Sequence, residues 1–178
     1  MLKKIVTWGL IAGLIVAVPM NLMILMQKDH PPLESGMVFG YVTMLIALST
    51  VFIAIKRYRD AELGGVIRFW PAFGLGIGIS IVAGIVYVLA WELSQAMTHM
   101  DFASGYAKAL IQQKQAAGAS AEEIAKLTAE MDEFKLQYAN PLFRLPMTFI
   151  EIFPVGVLVS LVSAGLLCNR RFLALRRA

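Results

Sequence analysis

The chain has 178 residues, of which 58% are hydrophobic and 16% charged, with a formal net charge of +4. Soluble domains sit near 45–50% apolar and about 25% charged, so lipid is the expected solvent for much of this chain, as one all-α integral membrane unit. A single cysteine, Cys168, excludes an intrachain disulfide and a multi-cysteine metal site.

Lys3 and Lys4 precede an apolar run over residues 5–26. It exceeds the ~7–15 apolar residues of a signal peptide and no Ala-x-Ala-like site follows, so a retained first span is expected. Gly9 and Gly13 form a small-xxx-small pair that lets another helix approach closely. Pro19 leaves the Ile15 carbonyl without its helical donor and predicts a kink. Asn21 adds an amide that needs a partner in lipid. A polar link over residues 27–35 holds Asp29, His30, Pro31, Pro32 and Glu34. The second span is expected over residues 36–55, with Gly36 and Gly40 repeating the small-residue spacing and Tyr41 at head-group level. Lys56, Arg57, Tyr58, Arg59 and Asp60 then end it, and Gly64-Gly65 makes a turn. The third span, residues 70–93, is glycine-rich in its first half and carries Tyr87, Trp91 and Glu92 at its far end.

Residues 94–140 are polar yet helical in pattern and predict an extramembrane helical hairpin. Phe102, Tyr106 and Leu110 recur at helical spacing, which reads as the third span continuing outward until Gly118 closes it. Ser120 with Glu123 three residues later is a capping box. Ile124, Leu127, Met131, Phe134 and Tyr138 follow at steps of three and four, a coiled-coil-like seam. Asn140-Pro141 breaks the chain before a fourth span, residues 143–168, which carries Glu151 and a second predicted kink at Pro154.

The charges sort by side. The N-terminus, the 56–68 loop and the C-terminal tail hold ten Lys/Arg against two acids, whereas the 27–35 link and the 94–140 region hold five Lys against eight acids. Lys/Arg excess stays in the cytoplasm. Four crossings place every basic segment on that side, with both termini cytoplasmic and the helical hairpin outside. Topology and anionic lipid then account for the basic loops. Nucleic acid is excluded as a partner, because no aromatic-basic surface module is present.

The segments 36–41 (GMVFGY), 44–47 (MLIA), 55–60 (IKRYRD) and 64–67 (GGVI), with 153–156 (FPVG) and 159–161 (VSL), resemble the bacterial membrane family called domain of unknown function 4199. The similarity covers nearly the whole chain. It implies a four-span bacterial inner-membrane protein and carries no activity with it.

Glu151 is the sharpest candidate for chemistry. About 12 Å along the helix from Phe143, its carboxylate is costly unless paired or protonated. Glu92 approaches the same level, and Asn21, Tyr41 and Thr148 could share it. One reading is a protonatable intramembrane cluster; the other is a structural carboxylate hydrogen-bonded between helices. His99 and Asp101, with Asp29, His30 and Glu34, hold metal-ligating groups, but His-x-Asp is not specific and no metal site is assigned. Met20, Met23, Met26, Met97 and Met100 read as gap-filling side chains rather than a Cu(I) site. Ser160 and Ser163 lie far from both histidines, and Ser94 and Ser104 flank His99 without an elbow motif. Gly74-x-Gly76-x-Gly78 lacks the strand-turn-helix setting of a dinucleotide site, and no cofactor is implied. Three functions follow in order: a non-enzymatic membrane protein using its helical hairpin for packing or partner contact, a small oligomeric proton- or ion-coupled carrier using Glu151, and a membrane enzyme. The expected partners are the lipid bilayer, a second copy, or a membrane or periplasmic protein.

Overall fold

The computed structural model describes residues 1–26, 33–99 and 101–174. Among these residues the chain is all-helical, with six helices and no strand: α1 (Leu2–Met26), α2 (Leu33–Glu62), α3 (Phe69–Thr98), α4 (Phe102–Ala116), α5 (Ala121–Tyr138) and α6 (Pro141–Leu167). Four of them, α1, α2, α3 and α6, are long and apolar enough to cross a membrane.

Small residues set how these four pack. α3 lies between α1 and α6, and α2 closes the group by touching both of those helices. Along the α1–α3 contact, Gly9 meets Val82, Gly13 meets Val86 and Gly78 meets Ile5. The same spacing of 73 positions joins Ser94 to Asn21, so the two helices run parallel and in register. α6 crosses α3 the other way, with Gly76 against Ser160 and Gly156 against Ser80. Ser80 and Ser160 are buried and their hydroxyls lie 3.4 Å apart. Close backbone approach through small residues is how helices associate where no hydrophobic force separates protein from lipid.

Gly40 and Gly74, in contrast, have open space where a side chain would project, as has Gly165. This divides the glycines into two experimental classes. A Cβ at Gly13 would sit 2.5 Å from Val86 Cβ, and one at Gly156 would sit 2.6 Å from Ser80 Cβ. Gly13→Ala and Gly156→Ala are each expected to destabilise by about 1–3 kcal/mol, because neither neighbour can yield without shifting backbone. Gly74→Ala and Gly165→Ala should be neutral or stabilising by up to about 1 kcal/mol. Denaturation of the four variants in one detergent checks this; equal effects across both classes would remove the packing argument.

Two features depart from the sequence expectation. α2 does not stop at the basic cluster but runs on for about two turns to Glu62. The physical reason is that Lys56 and Asp60 pair one helical turn apart at 2.6 Å, which favours helix over loop. The third span does not continue as one helix to Gly118. It ends at Thr98, where His99 takes a left-handed conformation (φ 50°) and its N–H bonds the Gln95 carbonyl at 3.0 Å. Asp101 then caps a new helix through Ser104 N, and Gly118 (φ 79°) follows its last turn. Pro19 and Pro154, where kinks are expected, both lie inside helices, as does Pro146.

Candidate functional site

Near the end where α4 and α5 attach, polar side chains of the long helices meet as separate pairs. Glu92 of α3 and Arg144 of α6 form a two-pronged ion pair, Nε to Oε1 at 2.7 Å and Nη2 to Oε2 at 2.6 Å. Such fork-to-fork contacts are the stronger and more directional class of charged hydrogen bond. The remaining face of Arg144 serves α5: Nη1 donates to the Tyr138 carbonyl at 3.2 Å, and the guanidinium lies 5.7 Å from the Tyr138 ring centre. Trp91, next to Glu92, donates its indole N–H to Tyr138 Oη at 2.8 Å. Arg144 is therefore a hub that ties α3, α5 and α6 together.

Five rings surround this hub. Trp91 packs edge-on against Phe102 at 5.0 Å, Phe102 lies 5.6 Å from Tyr138, and Tyr106 lies 6.0 Å from Phe134, which is 5.3 Å from Tyr138. The aromatic members of the two predicted seams thus meet one another. The start of α5 is fixed locally, by the reciprocal Ser120–Glu123 capping box. Those bonds from Ser120 hold the Glu123 carboxyl below its usual range.

Tyr138 is buried, and that burial pushes its phenol up to about 12, against a smaller opposing effect of the Trp91 bond. A phenol raised above its ordinary value of about 10 binds its proton more tightly in the folded chain. Its contribution to stability is therefore complete below pH ~10 and is lost as pH climbs through 12. Titration followed by tyrosinate absorbance should show a phenol titrating near 12 that Tyr138→Phe removes; an unchanged curve after the substitution would show that Tyr138 is not its source.

Glu151 is paired apart from Arg144. It is exposed on the surface of α6 and accepts from the hydroxyl of Tyr87, itself buried in α3, at 3.1 Å. Thr148 is buried and donates to the Arg144 carbonyl of its own helix at 3.0 Å. Asn21 accepts from Ser94 of α3 and donates to the Ala17 carbonyl at 2.9 Å. Tyr41 is exposed on α2. Glu92 and Glu151 thus have different partners, and the structure places Asn21 with a third. Arg144, Tyr87 and Ser94 were not singled out from the sequence as their partners. Arg144 carried a signal, as the only arginine between residues 69 and 169.

Among the described residues no three His, Cys, Asp or Glu side chains gather as a metal cluster would require. His99 is exposed at the end of α3. Asp29 and His30 lie outside the described residues, as does Met100, and so do the side chains of Glu34 and Met26. Met20 packs against the core, whereas Met97 is exposed. Cys168 is half-buried and donates to the Gly165 carbonyl at 3.1 Å.

A second polar centre, at the opposite end, was not anticipated. Arg59 is 0% exposed. Its Nε meets Asp60 at 2.7 Å, Nη1 reaches the carbonyls of Leu167 and Phe172 at 3.4 and 3.0 Å, and Nη2 reaches that of Leu173 at 2.6 Å. Around it Lys4 pairs with Glu62, and Arg57 lies over the Trp8 ring at 6.0 Å.

The family described as "Protein of unknown function (DUF4199)" matches residues 7–169. The chain belongs to that family. No curated protein and no solved structure matches it.

Proposed function

We propose that this member of the DUF4199 family is a non-enzymatic, multi-pass protein of a bacterial inner membrane, both termini cytoplasmic, whose α4 and α5 form an extracytoplasmic helical hairpin for packing or partner contact. The observation that carries this reading is the Arg144 hub: a charged fork and an aromatic cluster bind the α4–α5 unit to the ends of α3 and α6. Here the Glu92 carboxylate is engaged in holding helices together. The aromatic rings of the seam are spent on each other, so a partner would meet the outward face, where Leu136 is exposed. The orientation rests on the side-to-side charge difference in the sequence. Crosslinking from a probe at residue 136 in native membranes tests the contact. Capture of a discrete protein or a second copy is expected; capture of lipid alone, with span association unchanged on deleting residues 102–138, would sink it.

One observation favours a second reading. Glu151 presents a carboxyl on the outer surface of an apolar helix, backed by the Tyr87 hydroxyl. A carboxylate facing hydrocarbon is expensive, and a protonatable site between copies of the chain would relieve that cost. The carrier this implies is a small oligomer coupled to protons or ions. Flux into proteoliposomes is the discriminator, because Glu151→Gln should abolish it; flux that is absent or indifferent to the substitution rejects the carrier.

A further inference from the structure

Where α3 ends and α4 begins, the last turn of α5 and the start of α6 complete a cavity of about 250 Å3. Gln95, Asp101, Ser104, Lys135, Tyr138 and Arg144 line it. Sites for drug-sized ligands occupy roughly 300–1,000 Å3, so this one suits a small polar group. The side chains of the hub make one wall only; Gln95, Asp101, Ser104 and Lys135 have no part in the hub.

Two observations define the ligand. First, Gln95 Nε2 is buried and has no hydrogen-bond partner among the described residues. Buried donors are almost always paired, so an acceptor from outside the chain is the missing half. Second, the lining carries both signs. Arg144 keeps unspent donors beyond those on Glu92 and the Tyr138 carbonyl. Lys135 is held by Asp132, but that carboxylate is 64% exposed, and an ion pair of that kind is weak enough for the ammonium to turn. Asp101 supplies the negative group among the lining residues, its carboxyl held below the usual range by its bonds from Ser104.

We propose that this cavity binds a phosphate ester bearing a primary ammonium, the phosphoethanolamine group, with phosphate on Gln95, Lys135 and Arg144 and the ammonium on Asp101. A lone anion would leave Asp101 opposing it, and a lone cation would leave the buried Gln95 donor unmet.

The test uses the full chain in detergent and native mass spectrometry with phosphatidylethanolamine, phosphatidylglycerol and phosphatidylcholine of matched acyl chains. Phosphatidylethanolamine should be retained about tenfold better than either of the others. Gln95→Leu and Lys135→Ala should each reduce that preference by about fivefold or more. Gln95→Leu also removes an unmet donor, so without added lipid its melting temperature should match or exceed that of the parent chain. Displacement by soluble phosphoethanolamine would keep the chemistry and assign a soluble source; displacement by the lipid alone would assign the membrane. Equal retention of the three lipids, or a preference untouched by both substitutions, overturns the proposal.

Discussion

Arg59→Ala should cost about 3–5 kcal/mol, the size seen when one partner of a buried charged contact is removed. The guanidinium has no exposure to solvent and four oxygens around it, one from Asp60 and three from main-chain carbonyls. Those carbonyls lie at the end of α6 and in the turn beyond it, where the helix dipole is negative and the last C=O groups lack intrahelical donors. Alanine would strand them. An apolar side chain of matching volume would not rescue the site, as it can for a pair of side chains, because the carbonyls cannot be mutated away. Arg59→Lys keeps the charge but loses the planar fork, and should recover less than half of the loss. The checks are denaturation in detergent and protease access to residues 169–174. A variant within 0.5 kcal/mol of the parent, with that turn still protected, would show that the contacts carry no weight.

The second large effect is expected at Arg144. Arg144→Ala should cost about 2–3 kcal/mol, less than at Arg59 because the pair is partly exposed, 17% and 28% for the two side chains. Glu92→Ala should cost less, about 1–2 kcal/mol, since Arg144 would still hold the Tyr138 carbonyl. The double variant should then fall short of the sum by about 1–2 kcal/mol, the coupling of groups in direct contact. Near-ultraviolet circular dichroism should report the same loss through Trp91, which shares the cluster. Additive single effects would mean that the ion pair does not join the helices.

What the sequence disclosed and what it hid divide along a physical line. Runs of apolar residues mark the four long helices, because the signal for a span is local and survives without knowledge of neighbours. The Ser120–Glu123 cap was equally readable, being complete within four residues. The family assignment followed from short segments for the same reason. Arg59 shows the opposite case. Beside Lys56, Arg57 and Asp60 it looks like one more member of a solvated basic cluster, and its burial depends on carbonyls 108 to 114 positions away. Backbone acceptors leave no mark in a list of side chains. The break at His99 was hidden too, since a left-handed residue that is not glycine carries no compositional flag. At the far end, Glu92 and Glu151 stand out in the sequence as carboxyls in apolar helices, but their partners were a matter of which faces of α3 and α6 turn together. Glycine spacing hinted at this without resolving it, as the open Gly40 and Gly74 demonstrate.

The Arg59 clamp also bears on how the chain is made. Its carbonyl partners leave the ribosome more than a hundred residues after the arginine does, so throughout most of synthesis a cation destined for the interior has only the adjacent Asp60 to hold. An arrested nascent chain would carry that partly answered charge as a mark of incompleteness, legible to membrane quality control. Chains ending at residue 165 should accordingly be cleared faster than chains ending at 174 in a pulse–chase, and Arg59→Ala should narrow the gap between them.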